Sequence, residues 1–226
     1  EDAGEKTSIL ATLSFVKHAV IENIYFEGID KVTPQDINFG KQLELILKPL
    51  SVGQLSENKI TLGSFPAFVK EKSLLASIEN ESNAVLMNAE NVGETMYAGP
   101  GAGAKPTSNS VLSDIIAIAP GKIFDYQKFV ESPLASSFEN FSCDHYLRFI
   151  VSDEPGVVAK ISTVLAANNL SIDNLIQNEL DREDDAIPLV IVISNSKEKI
   201  MQNTISDLQK LPEVKNSISH IRILDI

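Results

Sequence analysis

Residues 144–226 leave the chain little choice of fold, because apolar runs of strand period and helix period follow one another there in a fixed order. The pattern predicts a strand over 146–151 and a turn at Asp153-Glu154-Pro155-Gly156. Val157, Ile161, Val164 and Leu165 then recur at helical spacing, and this helix ends near Asn168-Asn169. Residues 171–177 and 187–193 read as strands on either side of an acidic turn at 179–185. A second helix over 197–211 uses Met201, Ile205 and Leu208, and 218–224 reads as the closing strand. The order βαββαβ is that of a ferredoxin-like layer. The acidic turn lacks the Asp/Asn spacing and closing Glu of an EF-hand, so it reads as a solvated hairpin tip.

Upstream, the most constrained stretch is 92–115. An apolar-alternating run with Met96 and Ala98 stops at Gly99-Pro100-Gly101-Ala102-Gly103. A helix follows, with Val111, Leu112, Ile115 and Ile116 at helical spacing and Pro106 suited to its first turn. Glycines at such a turn let backbone approach a ligand with no Cβ between, and free N–H groups at a helix start favour negative or polar ligand atoms. Gly99, Gly101, Ala102 and Gly103 are therefore candidate cofactor contacts. The spacing is G-x-G-x-G, not the G-x-G-x-x-G of a dinucleotide fingerprint, and a plain structural turn accounts for it equally well.

The remaining elements read as an α+β layer. Residues 2–16 form a helix with Ile9, Leu13 and Val16 on one face, Leu10 beside them, and Asp2 in the first turn where the helix dipole favours a carboxylate. Asp2 and Lys6, four apart, share a face and serve either as a solvated salt bridge or as a functional pair. A strand is expected at 24–26. Thr33 caps a helix that begins at Pro34 and runs to about Ile46, and 59–69 reads as a strand broken by Pro66. Residues 83–87 and 92–97 make an antiparallel hairpin. A packed antiparallel sheet with one helical face is the expected core. Residues 120–143 change character: Gly121, Pro133, a Ser-rich stretch and five aromatics (Phe124, Tyr126, Phe129, Phe138, Phe141) suggest a connector that packs on its neighbours. The expected division is thus 1–119, a connector at 120–143, and 144–226.

Composition narrows the function classes. A net charge of −12 argues against nucleic acid and anionic membrane surfaces, and no apolar run approaches the roughly 18 to 20 residues of a membrane span. Cys143 is the single cysteine, which suits a reducing cytoplasm. His18, His145 and His220 stand far apart without metal-ligand spacing, so no metal site is expected. Cys143 reads as a structural thiol. Neither a G-x-x-x-x-G-K-[ST] loop nor a G-x-S-x-G elbow occurs.

Four motifs in one order carry a resemblance. Gly99 to Gly103, followed by Pro106-Thr107 and then by Ser110-Val111-Leu112-Ser113-Asp114-Ile115, is similar to the end of the catalytic domain of homoserine dehydrogenase. Glu27-Gly28-Ile29 and Asn83-Ala84-Val85 resemble two further motifs of that family, and Asp2 with Lys6 resembles its D-x-x-x-K catalytic segment. The stretch 153–177 resembles an ACT domain, the amino-acid-sensing module, over the whole of 144–226. The implied fold is a partial mixed-sheet catalytic domain followed by a ferredoxin-like ACT domain.

The resemblance implies interconversion of homoserine and aspartate 4-semialdehyde with NAD(P), in threonine, methionine and isoleucine biosynthesis. Lys6 would move the hydroxyl proton, which a lysine does only where burial or a neighbouring cation lowers its pKa. Asp2 would orient Lys6 and the substrate, and the 99–103 loop would border the nicotinamide. The family's Rossmann domain has no counterpart in these residues. The chain is therefore expected to be a C-terminal fragment, inactive alone. In the ACT region the expected effector, threonine first, would meet Asp153, Gly156 and Val157 of the strand-to-helix loop, with Asn174 and Gln177 on the next strand; otherwise that loop only shapes a turn. The hairpin face at 85–87 and the ACT sheet each need cover, so a homodimer at least is expected. The rival reading is a non-enzymatic amino-acid-binding regulator, which leaves the dehydrogenase-like motifs of 1–119 unexplained.

Overall fold

The computed structural model describes residues 2–121, 134–178 and 186–226. Helix α1 spans Asp2–Phe15 and has Asp2 and Glu5 in its first turn. Its packing face departs from the expectation: Gly4, Thr7 and Ala11 are buried, whereas Ile9, Leu10, Leu13 and Val16 are exposed. Small side chains let the helix lie close on the sheet beneath it, and a Cβ on Gly4 would run into the ring of Phe26. Ala11 joins Ala19, Ile24, Ile60 and Leu62 in one cluster, while Thr7 returns its hydroxyl to Ala3 O at 2.6 Å.

Strand β1 is Ile24–Phe26, and α2 is Pro34–Gln42. Thr33 and Asp36 form a reciprocal capping box, with Pro34 in the first turn. The helix stops at Gln42, short of Ile46, because Glu44 turns the chain at φ +57 and the next residues pair as a strand. Sequence periodicity does not separate this strand, β2 (Leu45–Ser56), from the helix before it. It runs antiparallel to β3 (Lys59–Lys70) along its whole length. Glu57 and Asn58, both at positive φ, make the two-residue turn between them. β3 is unbroken at Pro66. There Pro66 faces Pro49, so neither lacks a partner for an N–H it does not have; on the other edge Pro66 falls between the residues that pair with β1 (62–64) and those that pair with the last strand (67–69).

Strands β4 (Ser82–Ala89) and β5 (Gly93–Pro100) form the expected hairpin as a separate two-stranded sheet, and α3 (Ala104–Ile118) follows. α3 buries no residue; Val111, Leu112, Ile115 and Ile116 are all exposed. β6 (Leu134–Ala135) adds to β3 in parallel. Phe138 and Phe141 pack with Phe65, Ala67, Cys143 and Leu224. Phe124, Tyr126, Phe129 and the acidic turn lie outside the described residues.

The rest follows the expected βαββαβ order: β7 (Ser142–Ser152), α4 (Val157–Ala167), β8 (Ile172–Gln177), β9 (Ala186–Lys197), α5 (Glu198–Leu208) and β10 (Ser219–Leu224). Sheet order β10-β7-β9-β8 is ferredoxin-like, and α4 and α5 cover one face through Ile161, Leu165, Met201 and Leu208. This sheet is continuous with the first half, since β10 pairs in parallel with β3 through Arg222–Ala67, Ile223–Phe68 and Leu224–Val69.

The second face of the four-stranded unit also departs from expectation. Tyr146, Val190, Val192, Ile221 and Ile223 pack against Phe39 of α2, Leu45 and Phe68. The chain covers this face from within, so it makes no demand for a second copy. Gly40 permits the approach, because a Cβ there would strike the buried Phe68 ring.

Candidate functional site

The hairpin register sets Asn83 opposite Gly99 and Ser82 opposite Pro100, and Gly101 N donates to Glu81 O at 2.9 Å. Gly103, at φ +113, is the N-cap of α3 and makes no side-chain cap bond. Each glycine answers a different need. Gly103 holds a backbone geometry closed to other residues. Gly101 lacks a Cβ because the Asn83 amide stands where one would go, and only the space beside Gly99 is open. The loop therefore fits a polar ligand at a rim, approached at Gly99 and met by the uncapped N–H groups at the start of α3.

On α1, Lys6 Nζ lies 2.7 Å from Asp2 Oδ2, and both side chains are exposed. One turn of helix brings them together as their spacing requires. Gly4, between them, carries the Phe26 ring. Glu27, the residue after Phe26 and the first of Glu27-Gly28-Ile29, accepts from Tyr25 Oη at 2.9 Å and from Arg222 Nη1 at 2.6 Å.

The C-terminal half has a cleft of about 450 Å³ lined by residues 151–158 and Gln177. Asp153 and Gly156 lie in its wall. Gly156 sits at φ +92, caps α4, and has open space where a Cβ would project. Val157 turns its side chain into the helical core. Of the two β8 residues expected here only Gln177 lines the cleft. Asn174 is three positions away, so strand alternation sends it to the other face.

Two buried clusters escape sequence spacing. Asp36 accepts from Arg148 Nε at 2.7 Å and Nη2 at 3.2 Å, from Tyr146 Oη at 3.2 Å, and from the backbone and hydroxyl of Thr33 at 2.9 and 2.7 Å. Burial alone would raise the Asp36 pKa, but the bonds from Arg148 and Thr33 outweigh it and hold the carboxyl below its ordinary value. The histidines form the other cluster: His145 and His220, 75 residues apart, meet with Nδ1 and Nε2 2.9 Å from each other. Burial lowers the pKa of both, and for His220 the nearby Arg222 adds to it. Their nitrogens and a Glu198 oxygen lie within 4.8 Å of one another, which corrects the picture of isolated histidines. Both Glu198 oxygens are engaged by Arg222. Cys143 is buried beside them, and burial pushes its thiol up to about 12, so it is inert as a nucleophile. The one signal in the sequence for these clusters is a charge inside an apolar strand, Arg148 in 146–151 and Arg222 in 221–224, since a buried guanidinium demands a carboxylate partner.

The sequence profile of the homoserine dehydrogenase family matches residues 1–116, and that of the ACT domain matches 145–213. The homoserine dehydrogenase of Helicobacter pylori is 34% identical over 98% of this chain and 53% of its own length; that of Bacillus subtilis is 33% identical over 96% of the chain and 52% of its own. The chain thus spans about half the length of the curated relatives it matches. Among solved structures, a homoserine dehydrogenase from Thiobacillus denitrificans superposes with a TM-score of 0.88 at 28% identity, covering 99% of this chain and 53% of that one. The two matched regions share one continuous sheet, and the chain belongs to the homoserine dehydrogenase family.

Proposed function

We propose that this chain supplies the proton-transfer pair and the effector domain of an NAD(P)-dependent homoserine dehydrogenase that interconverts homoserine and aspartate 4-semialdehyde. The observation that carries the reading is the Asp2–Lys6 pair, 2.7 Å apart on an exposed helical turn inside the region matched by the family. A bound nicotinamide would supply the hydride acceptor for the alcohol carbon. Once bound substrate and cofactor take the exposed Lys6 amine out of water, its Nζ accepts the hydroxyl proton and returns it in the reverse direction. Asp2 orients Lys6 and holds a polar group of the substrate. Gly99, Gly103 and the first N–H groups of α3 form the polar rim that meets the cofactor. In an enzyme containing this chain, Lys6→Ala lowers kcat and kcat/KM together by roughly 10² to 10⁴. Lys6→Arg fails to restore them, because a guanidinium stays charged. Wild-type turnover in the Arg variant would sink the assignment.

The 226 residues include no dinucleotide fingerprint, so the chain alone turns over no homoserine. The cleft at 151–158 takes a small amino acid, threonine first: the N–H groups at the α4 N-terminus and the open space beside Gly156 suit a carboxylate, and Gln177 completes the polar wall. Calorimetry with threonine, isoleucine, methionine and lysine finds at least one binder, and Gly156→Asp abolishes it. Silence with all four at millimolar concentration leaves the domain without an amino-acid effector. The exposed apolar residues of α3 and Met87 of the hairpin support self-association as a homodimer in the cytoplasm, which light scattering at micromolar concentration tests.

A further inference from the structure

We propose that Arg222, supplied by the C-terminal unit, is a positioning residue for the Asp2–Lys6 pair and acts on it through Glu27 and Phe26. The inference rests on the proton-transfer reading of Lys6 given above.

Arg222 is fully buried in β10. Its Nε and Nη2 donate to the two oxygens of Glu198 at 3.0 and 2.5 Å, its Nη1 donates to Glu27 Oε2 at 2.6 Å, and its Nη2 also reaches Tyr25 Oη at 3.0 Å. The guanidinium lies over the rings of Tyr25, Phe65 and Phe138, 4.7 to 5.3 Å from their centroids. One cation thus ties the first residue of α5 to the end of β1, and two carboxylates converge on it. Burial would lower the Arg222 pKa, but the bonds and charge of Glu198, then Glu27, outweigh burial and keep it charged.

What it ties down is short. β1 has three residues and, among the described residues, one pairing partner, β3. Strand alternation puts Tyr25 and Glu27 on the side of Arg222 and Phe26 on the other. The Phe26 ring then seats against Gly4, which has no side chain and lies between Asp2 and Lys6. Among residues 2–6 Gly4 alone is buried, so the Gly4–Phe26 contact is where the turn carrying Lys6 rests on β1, while Thr7 and Ala11 seat the helix further along. Moving Glu27 moves Phe26, and with it the turn that carries Lys6. A shift of α5 or β10 is thereby felt at Lys6 with no contact between the C-terminal unit and the substrate.

The test compares Glu27→Gln, which keeps the shape and the Arg222–Glu198 pair, with Arg222→Met. Leu165→Ala serves as a control: its side chain is buried in the helical core of the C-terminal unit on α4, which carries no residue of the network, and the cavity lowers stability. In this 226-residue chain, amide hydrogen exchange at residues 6–8 is expected to rise about tenfold in both network variants and to stay at the wild-type rate in the control. In an enzyme containing the chain, Glu27→Gln is expected to lower kcat about tenfold with less than a twofold change in the homoserine KM. Wild-type exchange at residues 6–8 in Glu27→Gln, or an equal rise in Leu165→Ala, overturns the proposal. If exchange rises as expected but Lys6→Ala leaves turnover intact, the proton-transfer reading is what fails, and the link from Arg222 to the first turn of α1 stands.

Discussion

Removing the Asp36 carboxylate tests how the two halves are locked together. Asp36 belongs to the α2 capping box, while Arg148 and Tyr146 belong to β7, and the carboxylate is fully buried between them. Asp36→Ala deletes the acceptor of all five bonds described above and leaves the Arg148 guanidinium, 10% exposed, with no counter-charge among the described residues. Breaking one partner of a buried pair costs about 3 to 5 kcal/mol, because the remaining charge stays desolvated. Asp36→Asn keeps the shape and one acceptor oxygen, and costs about 1.5 to 3 kcal/mol, the range for hydrogen bonds to charged groups. Replacing both partners, as Asp36→Leu with Arg148→Met, strands no charge and is expected to cost less than Asp36→Ala alone. Urea unfolding followed by circular dichroism at pH 7 measures these variants together with the singles Asp36→Leu and Arg148→Met, and the double-mutant cycle isolates the coupling. A loss under about 1 kcal/mol for Asp36→Ala, or a double variant as costly as the sum of its singles, would refute the reasoning.

Two further outcomes follow from buried groups. His145 and His220 titrate in the folded chain below their unfolded value of about 6.5, so the unfolded chain binds protons first and stability falls as pH drops through and below that point. Arg222 beside the pair opposes protonation and Glu198 favours it for His145; His145→Gln should flatten the pH dependence of the urea midpoint in that window, and an unchanged slope counts against it. Asp36 adds a second loss only below about pH 4, where its depressed folded pKa leaves the unfolded carboxyl to protonate first. Gly40→Ala in α2 would gain up to about 1 kcal/mol in an exposed helix, but here its Cβ meets the buried Phe68 ring, and we expect a loss of about 1 to 3 kcal/mol in the same unfolding assay.

The βαββαβ layer was legible because each of its signals is local: apolar residues at period 2 or 3.6, a Pro-Gly turn, an Asn pair ending a helix. Thr33 with Pro34, and the glycines after a strand, were legible for the same reason, since caps and turns are written within four or five consecutive residues. What remained hidden depends on partners far along the chain. β2 looked like the continuation of a helix until β3 paired with it, and Pro66 looked like a break until Pro49 stood opposite. α1 showed its larger stripe as apolar, yet close packing on the sheet selected the face of Gly4, Thr7 and Ala11. Strand alternation was enough to separate Gln177 from Asn174, but not to place a cleft beside one of them. The meetings of Asp36 with Arg148, of His145 with His220, and of Arg222 with Glu27 span 112, 75 and 195 residues. An isolated charge in an apolar strand shows in the sequence that a partner must exist, because a buried guanidinium without a carboxylate is too costly. Which carboxylate it meets is decided only when the sheet joins the two halves.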